Sequence, residues 1–192
     1  MGRQIPEVLT TTEQEALLSQ PNPRYLTGER NQTMLRLMLA LGLRVAEVTS
    51  LKWRNVDLTT CEIRVKNGKG AKDRNLWANE KNIEALRKWR KRQANECKEN
   101  SEGIVFTTKK GGTLNHAYVR SMVKRYGVKA GIVKDVHPHM LRHTFATNLL
   151  RHNPNIRIVQ KALGHSNLAS TQIYTHICDP ELEEALKTLR TP

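Results

Sequence analysis

Apolar residues fall at helical spacing over most of this chain. Leu9 to Leu18 reads as a helix start, with Thr10 and Glu13, or Thr12 and Glu15, at capping-box spacing; Pro21 and Pro23 end it. Met34, Leu35, Met38 and Leu41 predict a helix over 29–41, with Gly42 as its C-terminal stop. Val45 to Trp53 predicts a short helix turning Val48 and Leu51 inward. At Cys61 the period changes to two: Cys61, Ile63 and Val65 alternate with Glu62, Arg64 and Lys66, the pattern of a half-buried strand. Asn67-Gly68 is a strong hairpin signal, and Arg74 to Trp77 supplies the returning strand. A basic amphipathic helix follows over 81–95, with Ile83, Leu86 and Trp89 as its apolar stripe. Arg87, Lys88, Arg90, Lys91 and Arg92 cover its other side and fit a solvated face or a DNA-facing one equally. Ile104-Val105-Phe106 predicts a short strand and Lys109 to Gly112 a turn. Helices are expected over 115–130, 139–151, 155–163 and 180–189, with Asn153-Pro154 and Asp179-Pro180 at the starts of the last two. The class is α+β, mostly α-helical, with a small antiparallel β-sheet or hairpin.

Composition narrows the partner. Thirty-two Lys and Arg against eighteen Asp and Glu give a formal charge of +14 in 192 residues. Such an excess costs self-repulsion and points to a polyanion, nucleic acid ahead of an anionic membrane surface. A basic housekeeping enzyme is the plain alternative. The apolar run Leu37 to Leu43 is too short to cross a bilayer, and the N-terminus shows no secretory pattern, so the expected location is cytoplasmic. Cys61, Cys97 and Cys178 form no CxxC pair, and HExxH, GxGxxG and GxxxxGK[ST] are missing. Catalysis, if any, is expected from side chains, with no cofactor and no metal.

Candidate chemistry is densest at Pro138-His139-Met140-Leu141-Arg142-His143. His139 and Arg142, three apart, share a helix face, although a surface pair would look the same. Leu163-Gly164-His165 ends a helix and throws His165 just beyond it. Nine residues on, Tyr174 stands among polar neighbours. An isolated tyrosine is usually a packed residue with a satisfied hydroxyl, but two further cations stand at exposed turns upstream. Arg44 follows the Gly42 stop, and Lys69 sits on the hairpin tip between Gly68 and Gly70.

In the order Arg44, Lys69, His139, Arg142, His165, Tyr174, the chain resembles the catalytic domain of the tyrosine recombinases, the family of phage integrases and Xer-type recombinases. The phrases LGLRVAEVTSLKW, NGKGAKDR, HPHMLRHTFATNLL and VQKALGHSNLASTQIYTHI carry the resemblance, which runs from about residue 8 to the C-terminus. It implies a site-specific recombinase that cleaves and rejoins double-stranded DNA through a covalent 3′-phosphotyrosyl intermediate, without metal or ATP. Arg44 and Arg142 would clamp the scissile phosphate, and His139 would assist proton transfer and phosphate binding. Lys69 would protonate the leaving 5′ oxygen, His165 would hold the phosphate or tune the nucleophile, and Tyr174 would attack. Glu47 matches a recurrent acidic residue that buttresses the site.

The chemistry is consistent with those roles. The five-coordinate transition state carries more negative charge than the phosphodiester, so preorganised cations stabilise it preferentially. A guanidinium fork pairs with two oxygens and stays charged. A tyrosine of pKa ~10 needs a base or a cationic field to lose its proton, and the departing alkoxide needs a donor.

Most tyrosine recombinases carry a separate N-terminal helical core-binding domain that closes a clamp on DNA. This chain is expected to be a single catalytic domain over 1–192 without it, either an excised domain or one of the short recombinases. A homo-oligomer, a tetramer on DNA, is expected, with Pro180 to Leu189 packing on its own domain or on a neighbour. Three other readings compete. A type IB topoisomerase-like enzyme shares the chemistry but not the GHSNLASTQIYTH phrase. A DNA-binding protein without catalysis would not need all six positions filled, and a membrane-surface protein lacks a convincing amphipathic segment.

Overall fold

The structure is a computed structural model that describes residues 6–66, 73–100 and 102–164. Its centre is helix α2 (Leu26–Leu41), which buries Met34, Leu35, Leu37, Met38, Leu39 and Leu41. Apolar on nearly every side, α2 must be wrapped by other elements. Helices α4 (Glu80–Glu96) and α6 (Pro138–His152) supply most of that cover, and α1 (Thr11–Ser19) packs beside them. The Thr10–Glu13 pair forms the capping box of α1, with both reciprocal bonds present. Helix α3 (Val45–Ser50) packs on α5 (His116–Lys129). Strands β1 (Glu62–Val65) and β2 (Arg74–Trp77) pair antiparallel, with Val65 opposite Arg74 and Glu62 opposite Trp77. The expected Asn67-Gly68 turn lies outside the described residues.

Helix α7 (Ile156–Leu163) closes the described fold. Its Val159 and Leu163 join Ala146 and Leu150 of α6 in a small apolar cluster of their own. That cluster fixes the C-terminal end of α7 beside the middle of α6.

Three expectations are corrected. Ile104-Val105-Phe106 forms no strand, because Ile104 bridges only to Lys52 and Thr107 only to Thr113. The Val105 carbonyl is taken instead by the Trp89 indole (2.6 Å) and the Gln93 amide (3.0 Å) of α4. Helix α3 stops at Ser50 rather than reaching Trp53, and a 3-10 turn occupies Trp53–Asn55. The next residues are drawn away: Leu51 accepts from the Val105 amide, and the Trp53 amide donates to Gly103. The cap of α7 is Asn155, whose side chain accepts from the Arg157 amide, so Asn153 and Pro154 lie before the helix. The helix expected over 180–189 lies outside the described residues.

On α4, Ile83, Leu86 and Trp89 are fully buried as the stripe predicts. Its cationic side is largely engaged within the protein. Arg87 pairs with Glu80, Lys88 with Glu84, and Arg92 with Glu29 and Glu96, while Arg90 lies over the Trp53 ring. Arg87 stays 40% and Lys88 68% exposed in these pairs, so the face remains solvated.

Candidate active site

The site begins where α2 ends. Gly42 adopts the left-handed conformation (φ 60°) that caps α2, and its position leaves no room for a side chain. A Cβ there would lie 2.4 Å from Cδ1 of Phe145 on α6. The tight exit makes Arg44 the N-cap of α3. Glu47, one turn on, accepts from the Arg44 amide through Oε2 (2.8 Å) and from its guanidinium Nη1 through Oε1 (2.9 Å). The Arg44 side chain stays 37% exposed while that of Glu47 is 6% exposed, so a buried carboxylate aims a solvent-facing cation.

Glu47 has a second partner that the sequence did not flag. Arg74, the first residue of β2, is buried and pairs with both carboxylate oxygens, Nη1 to Oε1 and Nη2 to Oε2, each at 2.9 Å. Its Nε donates to the Ala162 carbonyl in the last turn of α7 (2.7 Å). Burial pushes the Glu47 carboxyl upward. The hydrogen bonds and charge of Arg74, the Arg44 amide and the charge of Arg142 outweigh it and hold the group at about 2. It is therefore a carboxylate at every working pH. One signal was available in the sequence: Arg74 occupies an inward register on an alternating strand, where a charge needs a buried partner.

Helix α6 starts at Pro138, with the His137 ring accepting from the Met140 amide at the cap. That start places His139 and Arg142 on one face. Arg142 is buried, donating through Nη1 to the Gly42 carbonyl (2.5 Å) and through Nη2 to the Leu163 carbonyl (2.6 Å). Two arginines thus hold successive carbonyls, Ala162 and Leu163, at the end of α7, where the helix dipole favours cations. Partial desolvation, then the charges of His137, Arg142, Arg44 and Arg120, lower the His139 pKa below its usual 6.5. Burial, then His139, His137 and Arg142, lower His143 similarly.

Arg44, His139 and Arg142 line one pocket of about 520 Å³, with His116, Arg120 and Lys124 of α5 among its other walls. Three of the six expected site residues, 98 positions apart at the extremes, therefore share one cationic cleft. Lys69, His165 and Tyr174 lie outside the described residues. A phosphate oxygen entering this cleft would meet fixed positive charge already oriented by buried partners, the arrangement that suits a developing phosphorane.

The fold is that of a tyrosine recombinase catalytic domain. It is similar to the crystal structure of XerA recombinase (TM-score 0.83, 32% identity, covering 99% of this chain and 68% of that one). It is also similar to XerH site-specific recombinase bound to palindromic difH substrate in a post-cleavage complex (TM-score 0.81, 30% identity, 96% of this chain and 54% of that one). Tyrosine recombinase XerC of Xanthomonas axonopodis pv. citri is 38% identical over 175 residues, 91% of this chain and 55% of the relative. The phage integrase family model matches residues 7–181, and the chain belongs to that family. It spans about half to three-fifths of the length of the curated relatives it matches.

Proposed function

We propose that this chain carries out the strand cleavage and rejoining of a site-specific DNA recombinase. The observation that carries the reading is the convergence of Arg44, His139 and Arg142 on one cationic pocket, in a chain of charge +14 that belongs to the phage integrase family. The Tyr174 hydroxyl oxygen attacks the scissile phosphorus, and the bond to the 5′ oxygen breaks, leaving a 3′-phosphotyrosyl link. Arg44 and Arg142 bind the non-bridging oxygens and stabilise the added charge. His139, with its pKa depressed, is neutral at pH 7 and suited to exchange a proton with the nucleophile or the phosphate. Lys69 donates the proton that the leaving 5′ oxygen requires, and His165 holds the phosphate. In the reverse step the 5′ hydroxyl of a partner strand attacks the phosphotyrosine, so the bond energy is conserved and ATP is unnecessary.

The reading carries further expectations. Residues 1–192 act as one catalytic domain, double-stranded DNA is the partner, and copies of the chain assemble as a tetramer on it, in the cytoplasm. Among the described residues no helix is long and apolar enough to cross a membrane.

Incubation with a nicked suicide duplex, followed by a denaturing gel, tests the reading. Wild type should give a covalent protein–DNA adduct, whereas Tyr174→Phe should bind the duplex and give none. An adduct with the variant would assign the attack to another nucleophile. Tyr126, the next tyrosine upstream, accepts a hydrogen bond from Asn31 and packs against the core, so it is a poor replacement.

A further inference from the structure

Arg74 belongs to none of the roles assigned above, yet it touches three segments that build the site. It sits at the start of β2, forks onto both oxygens of Glu47 on α3, and donates to Ala162 at the end of α7. Glu47 in turn fixes the backbone and guanidinium of Arg44. Arg74 itself stands opposite the buried Val65 of β1 in the strand pair.

We propose that Arg74 is a positioning residue for strand cleavage, setting the Arg44 guanidinium through Glu47. The proposal rests on the recombinase reading. A planar fork is needed because two parallel N–H donors fix the carboxylate's orientation as well as its place. A lysine in this position would satisfy the charge but hold one oxygen at a time, leaving the carboxylate free to rotate. Among the described residues Arg44, 37% exposed, pairs ionically with Glu47 alone, so rotation of Glu47 transfers directly to it. The bond to Ala162 gives Arg74 a second anchor. The Glu47 fork therefore keeps a fixed bearing relative to α7, whose adjacent carbonyl is held by Arg142.

The test is a double-mutant cycle on the full chain, with cleavage of the nicked duplex and DNA affinity measured separately. Arg74→Lys and Arg74→Met should slow single-turnover cleavage on the order of 10- to 100-fold, the usual cost of a displaced catalytic charge. DNA affinity should stay within about threefold, because Arg74 is buried and its guanidinium is engaged by Glu47 and Ala162. In an Arg44→Ala background either substitution should add little, since the group it positions is gone. Full additivity, or parallel losses of binding and cleavage, would overturn the proposal and leave Arg74 a general stabiliser. Should Arg74→Met fail to fold, Arg74→Lys carries the cycle. Nitrogen-15 spectra of the Arg44 side chain give a second readout independent of activity. Its Nε–H resonance should move in Arg74→Lys, and an unmoved signal would also sink the idea. If wild type forms no adduct the recombinase reading fails, whereas the resonance still decides whether Arg74 positions Arg44.

Discussion

Replacing Glu47 by Gln is the most informative single perturbation of this fold. The carboxyl sits at about 2 against an ordinary 4.5. At ~1.4 kcal/mol per pH unit, that gap corresponds to ~3 kcal/mol in favour of the folded state at neutral pH. The geometry gives a similar figure by another route. Glu47 and Arg74 are both about 5% exposed and doubly bonded, and breaking a buried pair by removing one charge costs roughly 3–5 kcal/mol. Gln also turns an NH2 donor toward a guanidinium that has only donors. In a chain of this length ~3 kcal/mol lowers the melting temperature by roughly 6–12 °C. Urea titration of both proteins at pH 7 measures the difference directly. The pH dependence supplies a stricter test. A depressed carboxyl stabilises above its unfolded pKa and loses that contribution as pH falls through its folded one, here between 4.5 and about 2. By pH 3.5 roughly 1 kcal/mol of the wild-type advantage should be gone. A deficit under ~1 kcal/mol at pH 7, or one that does not shrink on acidification, would refute the reasoning.

Two further predictions rest on neighbouring groups. The cleavage rate should fall on the acid side through a value below 6.5, where the depressed His139 becomes protonated, and His139→Gln should lose that limb; an unchanged limb in the variant would assign it to another group. Gly42→Ala should destabilise the protein by roughly 1–3 kcal/mol in thermal melts, because the left-handed backbone and the Phe145 ring both oppose a Cβ. An unaltered melting curve would rule out that account.

Most helices were legible because their signals are local. The capping box at Thr10, the glycine stop at Gly42 and the stripe Ile83-Leu86-Trp89 each lie within a few residues, and all three are observed. Local evidence failed where the partner was distant. Ile104 to Phe106 has strand composition, but its backbone is claimed by side chains of α4, which no pattern around residue 104 encodes. The end of α3 is likewise set by a bridge to residues 103–105. Site residues followed the same division. The candidates Arg44, His139 and Arg142 stood at caps and on a helix face, and the fold brings them to one pocket, whereas the partner of Arg74 is Glu47, 27 positions away.

The cleft raises an electrostatic question that charge counting alone would answer wrongly. Arg44, His139 and Arg142 share one cleft, and Arg74 lies behind it on Glu47, in a chain that already carries +14, so mutual repulsion should splay them. One carboxylate, Glu47, offsets part of that repulsion by binding two of the arginines. Backbone dipoles offset more: Gly42 and Leu163 hold Arg142, and Ala162 holds Arg74. Two of those three carbonyls sit at a helix C-terminus, where partial negative charge is concentrated. Further acids would neutralise the cleft and, on the proposed reading, cancel the field that an incoming phosphate would meet. Carbonyl dipoles orient the guanidinium groups while leaving their net charge in place, and on the proposed reading that charge is what an incoming phosphodiester would meet.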